Sequence, residues 1–264
     1  MAGAIPFTVR LRRPDVTSAN NNRRATLFVT CIVDQVYPSI GQATVALLEQ
    51  QGVEVHVPPR LTCCGQMAFN AGFRDEAYAI AGRTIEVLRG QGDVVLPSGS
   101  CTAMIRHLYP ELFDHSPYAE PARELAGRTY ELTEYLVDVL GITDVGAHFA
   151  GRIAYHHACH GLRFIGVKAQ AEALLSGVRD AELMPLAGCQ ECCGFGGLFA
   201  IKQAAISEAM LERKLAAIAA SEADLVVTGD ASCMTQIAGG LSRAGSSIRA
   251  RHLAEVLANM VDVR

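Results

Sequence analysis

The sequence predicts an α/β fold made of two tandem, duplicated βαβ domains, layered, with largely parallel sheets and a pseudo-twofold relation between the copies. Three repeated features carry this expectation. A β-rich run ending in cysteine occurs twice, as RATLFVTC up to Cys31 and RIAYHHAC up to Cys159. An adjacent cysteine pair followed by glycine occurs twice, as Cys63-Cys64-Gly65 and Cys192-Cys193-Gly194. A short apolar run closing on a cysteine also occurs twice, as VVLPSGSC up to Cys101 and LVVTGDASC up to Cys233. Corresponding cysteines are offset by 128, 129, 129 and 132 positions, and with so little drift duplication is the simplest account.

The segments between these marks repeat as well. Residues 40–51 (IGQATVALLEQQ) and 168–176 (KAQAEALLS) carry the helical spacing of apolar positions, and VEVHVP at 53–58 and AELMPL at 181–186 read as short strands. Helices are expected at 73–90 and 200–220, each followed by a buried strand, DVVLP at 93–97 or DLVVT at 224–228. Strand, helix, strand, helix, strand in each half implies parallel pairing. In such sheets ligands collect beyond the carboxyl ends of the strands, where all the matched cysteines fall. The stretch GITDVGAHFAG at 141–151 follows the helical run ELTEYLVDVL and contains the boundary, placed at about 147. The expected division is a flexible tail over 1–23, a first cysteine-rich domain over 24–147 and a second over 148–264.

Composition narrows the function classes. Half of the 264 residues are hydrophobic and 19% are charged, as in an ordinary globular protein, and the formal charge of −4 offers nothing with which to grip nucleic acid. No apolar run approaches the roughly 18–20 residues of a membrane span, and the N-terminal segment lacks a signal peptide's hydrophobic block, so the expected location is the cytoplasm. That segment carries Arg10, Arg12, Arg13 and Arg23 against one acid, Asp15, and reads as a polar tail.

Nine cysteines in a chain of the reducing cytoplasm point to ligands or redox thiols rather than a disulfide framework. Thiolates are soft ligands that select zinc, copper(I) or iron–sulfur clusters, and four satisfy either a tetrahedral zinc or one cubane cluster. Each repeat offers four: Cys31, Cys63, Cys64 and Cys101, then Cys159, Cys192, Cys193 and Cys233. Neighbouring cysteines do not readily form a relaxed disulfide, but both can face one metal where the chain turns sharply, which the following glycine permits. His156, His157 and His160 surround Cys159 and could ligate metal, donate hydrogen bonds to sulfur or shuttle protons; packing or outer-sphere support is the favoured reading. Among them His160 is retained, with Cys189, as a possible extra ligand. Arg163 is either a carboxylate clamp or a surface residue. Gly194-Phe195-Gly196-Gly197 lacks the strand context of a nucleotide loop and is read as backbone wrapping a cluster.

With these motifs the chain resembles the CCG-type cysteine-rich domain family, whose tandem repeat reads Cys, then CCG, then Cys-x-x-Cys. Its members include the B subunit of heterodisulfide reductase and cysteine-rich subunits of several respiratory dehydrogenases. The resemblance covers about residues 24–250. Among its branches the chain is most similar to the A subunits of bacterial L-lactate utilisation complexes, through its short two-repeat length, SGSC at 98–101 and ECCGFGGLFAIK at 191–202.

The resemblance implies an iron–sulfur electron-transfer subunit of an oxidoreductase complex oxidising L-lactate to pyruvate. It would carry one or two 4Fe-4S clusters, have the complex's other subunits as partners, and serve a small carboxylate substrate. The sequence departs from the family pattern where Ser98 and Asp230 replace the first cysteine of Cys-x-x-Cys. That removes the fifth thiolate of a noncubane double cluster and leaves an ordinary 4Fe-4S cluster or zinc, the latter chiefly in the first site. Cys189, without a counterpart in the first repeat, could replace the thiolate missing at 230, act as a redox thiol or merely pack. Two alternatives stay open: a zinc-stabilised scaffold without redox activity, and a heterodisulfide-type thiol–disulfide reductase.

Overall fold

The structure, a computed structural model, describes residues 23–261; the tail expected over 1–23 lies outside them except for Arg23, which opens the first strand. Two four-stranded sheets form, and every strand pairing within them is parallel. The first contains β1 (Arg23–Leu27), β2 (Val53–His56), β3 (Asp93–Leu96) and β4 (Thr129–Glu131) in the order β2-β1-β3-β4. The second contains β5 (His148–His156), β6 (Arg179–Met184), β7 (Leu225–Thr228) and β8 (Arg249–His252) in the matching order β6-β5-β7-β8. The α/β duplication read from the sequence is therefore present in the fold.

Two differences have physical causes. The fourth strand of each sheet was not expected, because TYE and RARH are too short and polar to register as strands; backbone pairing to β3 and β7 recruits them. Strand β5 also starts within the presumed linker, at His148, with a register shift between His148 and Gly151 where it begins to follow β6.

The central strands carry the cores. Leu225–Thr228 is buried throughout and Val94–Leu96 likewise, as expected for parallel strands covered on both faces. One apolar core runs through both repeats: Ala25, Val53 and Val95 of the first sheet, with Ile40, Leu47 and Leu48 of helix Pro38–Gln50, join Ile153, Val226 and Leu253–Leu257. A second core belongs to the first repeat, where Phe28, Val94 and Leu96 meet Ala77, Ile85, Met104, Tyr109 and Phe113. Burying side chains of this size contributes about 1.5–3 kcal/mol each, so the shared core ties the repeats firmly.

Candidate metal centre

Each cysteine is delivered just past the carboxyl end of a strand. Cys31 opens helix Cys31–Gln35 after β1, and Cys159 opens helix Cys159–Arg163 after β5. The Cys-Cys-Gly loops follow β2 and β6, while Cys101 and Cys233 lie in the first turn of the helices that follow β3 and β7. Because the two sheets share one topology, the two sets are built alike.

They also face each other. Cys31, Cys63, Cys64 and Cys101 line the same cavity, of about 120 Å³, as Cys159, Cys192, Cys193 and Cys233. Matching sulfur pairs have matching distances: 3.2 Å from Cys64 Sγ to Cys101 Sγ and 3.3 Å from Cys193 Sγ to Cys233 Sγ. The loop glycines adopt the left-handed conformation, φ 84° at Gly65 and 91° at Gly194, and each donates its N–H back to the sulfur two residues earlier, Cys63 or Cys192. This is the sharp turn anticipated for the triplet.

The sulfurs share protons unequally. Hydrogen bonds from Cys31 and then Cys64 bring the Cys63 thiol down to about 2, and those from Cys159 and Cys193 do the same for Cys192. Acting as donors to those thiolates raises Cys31 and Cys159, with burial adding to the effect. Cys64 and Cys193 are also pushed up, by hydrogen bonds to their sulfur neighbours and then by burial. In each set the sulfur of Cys63 or Cys192 is thus the one most readily deprotonated, and its neighbours are the thiols from which a cation would displace protons.

Where the fifth cysteines would stand, Ser98 and Asp230 do other work. Each begins a helix and accepts a hydrogen bond from its first turn, Ser98 Oγ from Cys101 N–H at 3.2 Å and Asp230 Oδ1 from Ser232 N–H at 3.1 Å. Cys189 is buried in the shared core and does not line the cavity; its carbonyl accepts from His157 N–H at 2.9 Å. His160 does line the cavity, its Nδ1 3.6 Å from Cys159 Sγ. His157 turns away, with Nε2 3.3 Å from Glu172 Oε1. Arg163 is outside the cavity lining and donates to the Gln190 carbonyl at 3.3 Å.

Sequence reasoning gave His156 no distinct role, and its depth is what sets it apart. Like Cys189 it is not among the residues lining the cavity; it has no exposed surface, and neither ring nitrogen makes a well-formed hydrogen bond, the Cys189 backbone being the one hydrogen-bonding group that acts on the ring. Burial first, then the charges of Lys214 and His157, lower its pKa to about 3 and keep the imidazole neutral. A ring nitrogen and the sulfurs of Cys193 and Cys233 lie within 4.8 Å of one another, the only such trio of potential ligands among the described residues. The clustered cysteines and histidine are therefore able to bind metal.

A sequence profile of the CCG cysteine-rich domain matches residues 25–106 and again 153–238. The chain belongs to the CCG cysteine-rich domain family. Its curated relatives include Lactate utilization protein A of Geobacillus kaustophilus (strain HTA426), 45% identical over 89% of this chain and 98% of that protein. The protein of the same name from Exiguobacterium sp. (strain ATCC BAA-1283 / AT1b) is 45% identical over 88% of this chain and 95% of its own length. That from Geobacillus thermodenitrificans (strain NG80-2) is 43% identical over 89% and 98%. Both matches to the CCG profile contain their four cavity cysteines, so the family repeat and the structural repeat coincide. Among the described residues of this CCG protein no helix is long and apolar enough to cross a membrane.

Proposed function

We propose that the chain is an iron–sulfur electron-transfer subunit of a cytoplasmic system that oxidises L-lactate to pyruvate, working with that system's other subunits. The observation that carries the reading is the single cavity onto which two four-cysteine sets open. Cys31, Cys63, Cys64 and Cys101 would hold one centre and Cys159, Cys192, Cys193 and Cys233 the other, each set belonging to one cysteine-rich domain, 24–147 or 148–264. The names of the relatives support lactate as the fuel.

The donor set fits such a group. Four thiolates from a zinc stand about 3.8 Å apart, as 2.3 Å bonds in a tetrahedron require. Here no three sulfurs alone gather within 4.8 Å of one another, although one pair in each set is close. The cavity, at about 120 Å³, also exceeds the space of a single ion. Soft thiolates suit a cluster or zinc alike, and the sulfur pairs at 3.2 and 3.3 Å are closer than either would set them, so metal and sulfide analysis decides between the two. An iron–sulfur cluster supplies one-electron transfer, and the protein's part is to hold it with thiolates and shield it behind the two sheets. The cavity joins two sets within one wall, an arrangement that favours passage of electrons from one to the other.

The test is anaerobic purification with iron, acid-labile sulfide and zinc determined on wild type, Cys64→Ser and Cys193→Ser. Brown protein with iron and sulfide in equal amounts, reduced by about half in each variant, is expected. Colourless protein containing zinc alone, or variants with full metal content, would sink the reading.

A further inference from the structure

We propose that His156 is a nitrogen ligand of the second centre, so that the two halves of the chain hold chemically different metal sites. The inference rests on the reading of both cysteine sets as metal centres. A buried polar atom is almost always hydrogen-bonded, because removing it from water without replacement is unfavourable. His156 has no well-formed hydrogen bond at either ring nitrogen, only a weak interaction with the Cys189 backbone, while a nitrogen lies within 4.8 Å of Cys193 Sγ and Cys233 Sγ. A metal held by those sulfurs gives the orphaned nitrogen its partner, and neutral imidazole is an ordinary companion of thiolate in metal sites.

The first repeat supplies an internal control. Strands β1 and β5 hold the same place in their sheets, and three residues before Cys31 the first repeat has Phe28 where the second has His156. Phe28 is just as completely buried. Packing at this position is therefore satisfied by an apolar ring, and the polar ring of the second repeat needs another explanation. The neighbouring histidines are placed differently: His157 points its Nε2 toward Glu172, 3.3 Å away, and His160 is partly exposed.

Donor number points the same way. Asp230 stands where a fifth thiolate would be, but its carboxylate is engaged by Ser98, Ser100 and Ser232. With His156 the second set regains five donors: Cys159, Cys192, Cys193, Cys233 and one nitrogen. The first set stays at four. Compared with a five-thiolate set, one neutral nitrogen in place of an anionic sulfur leaves the centre less negative and its reduction potential higher.

The experiment is pulsed EPR on anaerobically prepared, reduced protein labelled with nitrogen-15 histidine, together with a potentiometric titration. Wild type should show one strongly coupled histidine nitrogen, retained in His160→Asn and lost in His156→Phe, the variant that copies the first repeat. His156→Cys should restore a five-donor set, remove the nitrogen signal and shift the midpoint of one centre, but not the other, to lower potential. Iron and sulfide present without a coupled nitrogen, or a coupling that survives in His156→Phe, overturns the inference alone. Absence of iron and sulfide from wild type instead overturns the reading beneath it. Should His156→Phe fail to fold, the wild-type signal and its response to His160→Asn still decide.

Discussion

Ser98 Oγ donates a hydrogen bond to Asp230 Oδ2 at 3.1 Å, joining matching positions of the two repeats across their junction within an isolated antiparallel bridge. The same carboxylate oxygen accepts from Ser100 N–H at 2.9 Å, and Gly99 lies backbone to backbone with Gly161, leaving no room for a Cβ. The positions that lost a cysteine thus form a joint between the repeats. Asp230 is 2% exposed, so its partners have no water to turn to. Asp230→Ala should destabilise the metal-free protein by about 3 kcal/mol and Ser98→Ala by about 1 kcal/mol. Chemical denaturation of both variants and the double mutant should show a coupling of about 1 kcal/mol between them.

The two loop glycines should not tolerate alanine equally. Both need positive φ, at a penalty of about 1–2 kcal/mol for a Cβ-bearing residue. At Gly65 the added carbon meets the Ala77 carbonyl oxygen at 3.4 Å, an ordinary contact, whereas at Gly194 it meets the Ser207 carbonyl oxygen at 2.6 Å. Gly194→Ala should therefore lose more stability than Gly65→Ala and should deplete metal from the second set. Thermal melts and metal content, compared side by side, check this.

Lys214 is buried, donates to the Gly188 carbonyl, and directs its charge toward Glu191, Cys189, Cys193 and Cys233. The glycine contacts place Thr84 at the corresponding point of the first repeat, since Ala77 and Ser207 play the same part against Gly65 and Gly194. Removing the cation in Lys214→Met should lower the midpoint potential of one centre by tens of millivolts, on the order expected for a charge several ångströms away, and leave the other unchanged. Redox titration of the variant resolves the two.

Glu131 and His252 end β4 and β8, and each caps the following helix through a reciprocal capping box. Both are buried and both are held toward neutrality. Burial raises Glu131 from 4.5 to about 7, outweighing its hydrogen bonds from Thr133 and Glu134; burial lowers His252 below 6.5. The folded state therefore binds the Glu131 proton more tightly than the unfolded chain does. Its stabilisation is full below pH 4.5, falls by up to about 3 kcal/mol as pH rises to about 7, and is then constant. For His252 the sign is reversed, and stability declines as pH falls below 6.5. Glu131→Gln should flatten the upper limb and leave the acid limb in place, as read by urea unfolding at pH 5 and pH 8.

Much of this architecture was legible because cysteine spacing survives duplication. Strand-end cysteines and Cys-Cys-Gly loops marked both repeats, and the apolar runs at Val94–Leu96 and Leu225–Val227 marked the central strands. The fourth strands were missed because tertiary pairing makes them; the overlooked signal was the pair ELTE at 131–134 and HLAE at 252–255, each a strand end passing into a capped helix. That the cysteine sets face one cavity depends on how the sheets pack, which spacing does not encode. Likewise His156, His157 and His160 look equivalent in HHACH, and Cys189 looks like a ligand beside Cys192. Only depth and direction separate them, with His156 buried against sulfur and Cys189 buried against the core.

The continuous core through both repeats has a consequence for how such a chain can change. Two identical subunits meeting in this way would form a symmetric homodimer, in which every substitution appears twice and no site can differ from its mate. Fusion into one polypeptide keeps the halves together regardless of concentration and lifts that constraint. Phe28 opposite His156, Thr84 opposite Lys214 and Glu131 opposite His252 are differences available only to a molecule whose symmetry has become optional.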